Sequence, residues 1–583
     1  MGMLTKTSGS KFSAEDDARY ADLYEKILAG ELDAPKLWQD SGMALARWKR
    51  ANSERVKRME RLARDRDGIA SPAFDDAYQV AGKHGYRGLG SGHVRAAGEL
   101  RRWQTATSLA AGWTPNVVGA PAPMIGGPIG RHVVTGVDIG FDALSWFEED
   151  IIANPSCFVL GLPGLGKSTF IRKILANHVA RGHCPIIAGD IKAEYVGFTQ
   201  QVQGQVITLG AGAGSINPLD PGALGRIVPR LEANADHLRS IGMYDVIDAT
   251  KQRVHHQQVQ MVASLVSMGR SGTVADYEVM LISAALTEMY ETGNYDADNP
   301  PLLYDLIDWL DNPSETLKRK ARARNDEQWN YRVDDLMLSL NALTDGATGR
   351  IFADHTTTHI DIDATAVCID VSAVAKGDDA MKAAVVLSAW SDGFGTIEAC
   401  NILADCGLEE QRYFAITLDE MWQTLSVGVG LVDRVDELTR LNRVDGAAVY
   451  EITHTSKDME ALPTEADRKK AMGFIERAGV VACGGLPIEE IRLLENTLRF
   501  SPEEATRVVS WSRGATPKRS RTGGKKATPP GRGRFMLKAS KDGAPGIPLQ
   551  TVLTPTEISL DLHNTNKRFD HLYATTQGQA VPS

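Results

Sequence analysis

The chain has 583 residues, with 64 Lys and Arg against 74 Asp and Glu, giving a formal net charge of −10. That length exceeds the roughly 250–300 residues at which a single core stops growing, so more than one domain is expected. The acidic balance excludes a surface that coats nucleic acid as a whole, but it averages over any local basic groove or pore. The six cysteines form neither CxxC pairs nor Cys–His clusters, which points to buried thiols in a reducing compartment and away from disulfides or zinc. The opening MGMLTKTSGSKFSAEDD lacks the apolar core of a signal peptide. No apolar run approaches the about 18–20 residues that span a bilayer. A cytoplasmic protein is expected, reaching a membrane only through partners.

In chain order, residues 1–112 are rich in Ala, Arg, Glu and Leu and are expected to be mainly helical. The charged run from Trp48 to Arg66 is either a solvated helix face or a basic contact for nucleic acid. Residues 113–130 concentrate Pro and Gly and mark a linker. The stretch 132–141 reads as strand, leading to the apolar strand Cys157-Phe158-Val159-Leu160. The string GLPGLGKS follows at 161–168, and Thr169 to Leu175 open a helix with apolar residues at helical spacing. This strand–loop–helix is a phosphate-binding P-loop. Gly161, Leu162, Pro163, Gly164, Leu165, Gly166, Lys167, Ser168 and Thr169 would surround a nucleotide. The glycines permit the tight bend, Lys167 reaches the β/γ-phosphates, and Ser168 places its hydroxyl on Mg²⁺. The helix N-terminus adds its dipole.

A second buried strand, Pro185 to Asp190, and a third, Gln205 to Leu209, continue a βαβ alternation that implies a parallel sheet covered by helices. Residues 131–221 therefore form the first part of an α/β core. From 222 to 345 the pattern turns helical, including 252–292 and 302–311, with an exposed charged stretch at 315–324; this reads as an insertion. The core resumes over 346–512, with strands at 366–371, 413–418, 447–452 and 479–483. The strand 413–418 ends in Asp419-Glu420, the Walker B arrangement: Asp419 for Mg²⁺, Glu420 to orient the attacking water. A carboxylate pair capping the next helix is the alternative. The strand 447–452 ends in Thr453-His454 beside Thr455 and Asp458, either a γ-phosphate sensor or a surface turn. Asp190, Lys192, Glu194 and Tyr195 either line the same cleft or form a solvated turn. Residues 513–583 hold a loop rich in Gly, Pro, Lys and Arg, a returning strand at 534–538, and a tail. Lys518, Arg519, Arg521, Lys525 and Lys526 in that loop offer phosphate contacts or serve as a solubilising linker.

The ordered set GLPGLGKST, GDIKAEY, GQVITLGAGAGSINPLD, LDEMW and ITHTSKD resembles the ATPases of conjugative type IV secretion systems, the VirB/TraC type within the FtsK–HerA superfamily. The stretch 127–147 and the segment NTNKRF at 564–569 resemble an actinobacterial branch, and the likeness covers roughly residues 125–570. It implies an α/β RecA-like P-loop NTPase core with a helical subdomain, ATP and Mg²⁺ as ligands, and ring oligomers, commonly hexamers, with an arginine supplied by the neighbour. Arg440 and Arg443 are candidates for that arginine or are ordinary surface residues. Three departures stand out. His454 occupies the family's glutamine position, Ile191 and Ala193 replace its Pro and Gly, and the N-terminal region is short. The implied function is an ATP hydrolase that energises DNA or protein transfer alongside membrane-embedded secretion or conjugation proteins. Two other readings compete. One is a hexameric motor that threads DNA directly; the other is a non-hydrolysing subunit, against which Lys167 and the Asp419-Glu420 pair argue.

Overall fold

The computed structural model describes residues 124–563, except 211, 271, 375–378, 428–431, 433, 434, 437–445, 461, 463, 496, 515–528, 540–543 and 561, together with residues 18, 19 and 22. Two compact units divide the chain: Met1–Gly98 with Ile558–Leu560 and Asn566–Ser583, and Glu99–Glu557 with Asp561–Thr565. In the first, Ala18, Arg19 and Asp22 are helical. Most of the expected N-terminal helical region and the linker through 123 lie outside the described residues. So do Arg440, Arg443, the basic residues Lys518, Arg519, Arg521, Lys525 and Lys526, and the segment 564–569.

The second unit is built on one sheet. Its strands are β1 (Pro128–His132), β2 (Asp138–Gly140), β3 (Ser156–Leu160), β4 (Cys184–Asp190), β5 (Gln205–Thr208), β6 (Val367–Asp370), β7 (Phe414–Leu418), β8 (Ala447–Ile452), β9 (Val480–Cys483), β10 (Arg534–Lys538) and β11 (Ile547–Thr551). They lie in the order β2-β1-β11-β10-β9-β3-β8-β7-β4-β6-β5. From β9 to β5 every pairing is parallel, whereas β10, β11, β1 and β2 join on as an antiparallel wing. The expected α/β class, a mainly parallel sheet flanked by helices, is the one observed. In β3, β4, β7 and β8 every residue is buried, as a parallel sheet covered on both faces requires. Along β3, Phe158 and Leu160 join one core with Ile186, Ile416 and the helix Asp379–Asp405. Cys157 and Val159 join the other with Phe170, Ile171 and Ile174 of the P-loop helix.

Two expected elements differ in detail. Residues 132–141 are not one strand: β1 and β2 form a hairpin, turned at Gly136 with φ +71° and closed by the His132 N–H to the Val137 carbonyl at 2.8 Å. The helical run 252–292 is two helices, Val246–Arg270 and Asp276–Glu291. The break has a local cause. Glu278 reaches back to the Ala275 N–H at 2.8 Å and holds the Arg270 guanidinium with both oxygens, at 2.8 and 2.9 Å, fixing a new helix start. All six cysteines are buried free thiols. No helix among the described residues is long and apolar enough to cross a membrane.

Candidate nucleotide site

The P-loop connects β3 to the helix Lys167–Ala180. Gly164 and Gly166 adopt φ of +78° and +98°, left-handed backbone that a side chain disfavours. Not every N–H of the loop faces the cleft. The Gly161 N–H donates to the His454 carbonyl at 3.1 Å and the Leu162 N–H to the Gly485 carbonyl at 3.2 Å. Those two residues therefore anchor the loop, leaving the turn at Gly164 and the helix start at Gly166–Ser168 to meet an anion. From the far end of the sequence, the Gly533 N–H holds the Leu165 carbonyl at 2.8 Å, so the antiparallel wing supports the loop from outside.

Strand order brings the remaining groups together. β8 lies between β3 and β7, so the residues just past β8 fall between the P-loop and Asp419-Glu420. The second of them is His454. Lys167 Nζ donates to the Gly161 carbonyl and to His454 Nδ1, both at 2.7 Å, and His454 Nε2 lies 3.1 Å from Glu420 Oε1. An ammonium only donates and a carboxylate only accepts. The imidazole joining them is thus the neutral tautomer with its proton on Nε2. The turn that presents it is fixed by Asp458, whose Oδ2 accepts from the Thr453 hydroxyl and from the N–H groups of His454 and Thr455. Of the two readings of Thr453-His454, the geometry favours a place in the cleft.

Glu420 is buried and sits at φ +52°, an uncommon backbone state for a non-glycine residue. Its Oε1 also pairs with Lys192 Nζ, and its Oε2 accepts from Trp422 Nε1 at 2.9 Å. Burial alone would raise this carboxyl; the hydrogen bonds from His454 and Lys192 prevail and hold it far below the ordinary glutamate range. Asp419 shows the reverse. Burial, then the charges of Glu420 and Glu194, push its carboxyl up to about 7, with Lys192 opposing. Tyr195 donates its hydroxyl to Asp419 Oδ2 at 3.2 Å. Burial lowers Lys167, against the pull of Glu420 and Asp419.

The turn after β4 lines the same cleft. Asp190 is buried and accepts from the N–H groups of Lys192, Glu194 and Tyr195 at 3.3, 2.9 and 2.7 Å. It builds the turn that aims Lys192 and Tyr195 at the Asp419-Glu420 pair. Ala193 within it has φ +53°, where glycine would fit without a Cβ penalty. Arg172, on the P-loop helix, donates to the Ser168, Glu194 and His563 carbonyls. Lys173 meets Glu557 at 2.7 Å with both side chains at most 10% exposed. Sequence reading missed Trp422 and Glu557 as parts of this neighbourhood. Trp422 stands in the LDEMW string beside its partner Glu420, so the signal was present but gave Trp422 no role; Glu557 lies in no recognisable pattern with Lys173.

The sequence matches no protein-family model and no curated protein. Solved structures do match. VirB4 of Thermoanaerobacter pseudethanolicus superposes with a TM-score of 0.54 at 16% identity, over 76% of this chain and 100% of that one. This chain shares the VirB4 fold. The likeness carried by the sequence motifs is therefore present in the architecture. The bacterial conjugative coupling protein TrwBΔN70 aligns at 12% identity over 73% of this chain and 88% of its own, with a TM-score of 0.42.

Proposed function

We propose that the chain is a Mg²⁺-dependent ATP hydrolase that couples turnover to DNA or protein transfer through a conjugative or type IV secretion-like apparatus. The observation that carries the reading is the continuous contact from Lys167 of the P-loop through His454 to Glu420. It supports the reading because Lys167 and Glu420, which would bind phosphate and orient water, share one cleft. ATP would sit on Gly164, Leu165, Gly166, Lys167, Ser168 and Thr169, with Lys167 turning from the Gly161 carbonyl and His454 to the β/γ-phosphates.

Magnesium would be held by Ser168 and Asp419, with phosphate oxygens and water completing its shell. The donor set fits such a cation: Asp419 stands among Glu420, Glu194 and Asp190, whose charges raise it. Among the described residues no three His, Cys, Asp or Glu side chains are grouped to hold a metal by themselves, so binding would depend on the nucleotide. The ion would neutralise charge developing on the transferred phosphoryl group. Glu420 would orient the attacking water once its oxygens are released. The helices between β5 and β6 would form a subdomain on the motor core. The chain would assemble as a ring, a hexamer as is common in the family its motifs resemble, with Arg440 or Arg443 acting in trans and membrane-embedded proteins as partners.

The test is the steady-state ATPase rate of purified protein with and without DNA, beside Glu420→Gln. Loss of one positioned acid–base group lowers turnover by about 10²–10⁴-fold while ATP still binds. Wild-type turnover in Glu420→Gln refutes the assignment. Stimulation by DNA that disappears at high salt would instead favour a motor acting directly on DNA.

A further inference from the structure

We infer that Lys192 is a positioning residue that clamps Glu420 while the site lacks nucleotide, and that it releases Glu420 when a triphosphate competes for its ammonium group. The inference rests on the ATPase reading above and names how that site is kept idle.

Both oxygens of Glu420 have donors. Oε1 is shared between Lys192 Nζ and His454 Nε2, and Oε2 is held by the Trp422 indole N–H. Of the about four lone-pair sites of the carboxylate, Lys192 and His454 take both on Oε1 and Trp422 one on Oε2, so release by Lys192 is what frees Oε1 to orient a water. The three donors differ in freedom. Trp422 is only two residues from Glu420 on the same turn, and His454 is fixed through Asp458. Lys192 is the more solvent-accessible, its side chain 46% exposed against 25% for His454, in the turn built by Asp190. It also lies close enough to Lys167 for the two charges to repel. A polyanion seated on Lys167 therefore offers Lys192 a second partner. A diphosphate, ending one phosphate earlier, offers a weaker one. His454 is coupled to the same event, because Lys167 leaving Nδ1 removes the contact that orients its ring. The left-handed backbone of Glu420 fits a residue whose side chain must be held in this direction.

The experiment uses Trp422 as reporter, through the difference in emission between the full chain and its Trp422→Phe variant, in wild-type, Lys192→Met, Lys192→Gln and Lys192→Arg backgrounds. Without nucleotide, Lys192→Met and Lys192→Gln should shift the Trp422 contribution toward the value that wild type reaches with the non-hydrolysable imido analogue of ATP, while Lys192→Arg stays near wild type. The preference for that analogue over ADP should fall about tenfold or more in the uncharged variants, the effect of losing a charge-assisted hydrogen bond. Unchanged Trp422 emission in both uncharged variants overturns the clamp, as does an unchanged preference for triphosphate. The two readings fail separately: a wild-type chain that binds no nucleotide refutes the ATPase, whereas the nucleotide-free emission of the Lys192 variants still decides the clamp.

Discussion

Replacing Glu557 by Gln should weaken the protein by about 3 kcal/mol at neutral pH, and the deficit should fade in acid. Glu557 accepts from Lys173 Nζ at 2.7 Å, from the Thr554 N–H at 2.6 Å and from His563 Nε2 at 3.4 Å. Burial would raise its carboxyl, but the bonds from His563, Lys173 and the Thr554 N–H bring it down from 4.5 to about 2. A difference of roughly 2.5 units at 1.36 kcal/mol each gives about 3 kcal/mol. Breaking a buried ion pair by removing one partner leads independently to roughly 3–5 kcal/mol. Because the folded carboxyl is depressed, its contribution is complete above pH 4.5 and is lost as pH falls toward 2. Urea unfolding of wild type and Glu557→Gln at pH 7, 4.5 and 3, followed by tryptophan emission, measures the difference directly. The gap should be widest at pH 7 and 4.5 and smaller at pH 3. Adding Lys173→Met to Glu557→Gln should recover part of the loss, since the stranded cation is then gone. A deficit below about 1 kcal/mol at pH 7, or an equal one at pH 7 and pH 3, refutes the argument.

Two further outcomes are expected. Lys167→Ala should abolish nucleotide binding, measured by titration with a fluorescent ATP analogue, because no other cation occupies that position on the P-loop helix; retained affinity would move the phosphate site elsewhere. Ala193→Gly should leave the turn intact and relieve the left-handed alanine, raising stability by about 1 kcal/mol or less. A loss of stability would mean that the alanine methyl contributes packing that outweighs its backbone cost.

The P-loop and the Asp419-Glu420 pair were legible because each is a short, contiguous string at the end of an apolar run. His454 stood out only as one of two readings. What decides between them is that β8 lies between β3 and β7, and strand order is not written in any local pattern. Lys192 was left between the cleft and a solvated turn for the same reason: its partner is 228 residues away. The hairpin at 128–140 was hidden by a run of residues with strand character on both sides of Gly136. β11 escaped notice because Ile547-Pro548-Leu549-Gln550-Thr551 is short and carries a proline, which normally argues against a strand. Here Pro548 pairs opposite Met536 of β10.

The antiparallel wing also constrains how the chain is made. β1 finds its partner β11 only after about 415 further residues have been synthesised. At ribosomal rates of about 5–20 residues per second, that is a delay of roughly 20–80 s. Through that interval β1 has only its hairpin mate, and once β9 is made its outer edge waits about 50 further residues for β10. The support that Gly533 gives the P-loop arrives in the same late step. The nascent chain therefore carries the residues of the P-loop long before Gly533, the residue that buttresses them, has been made.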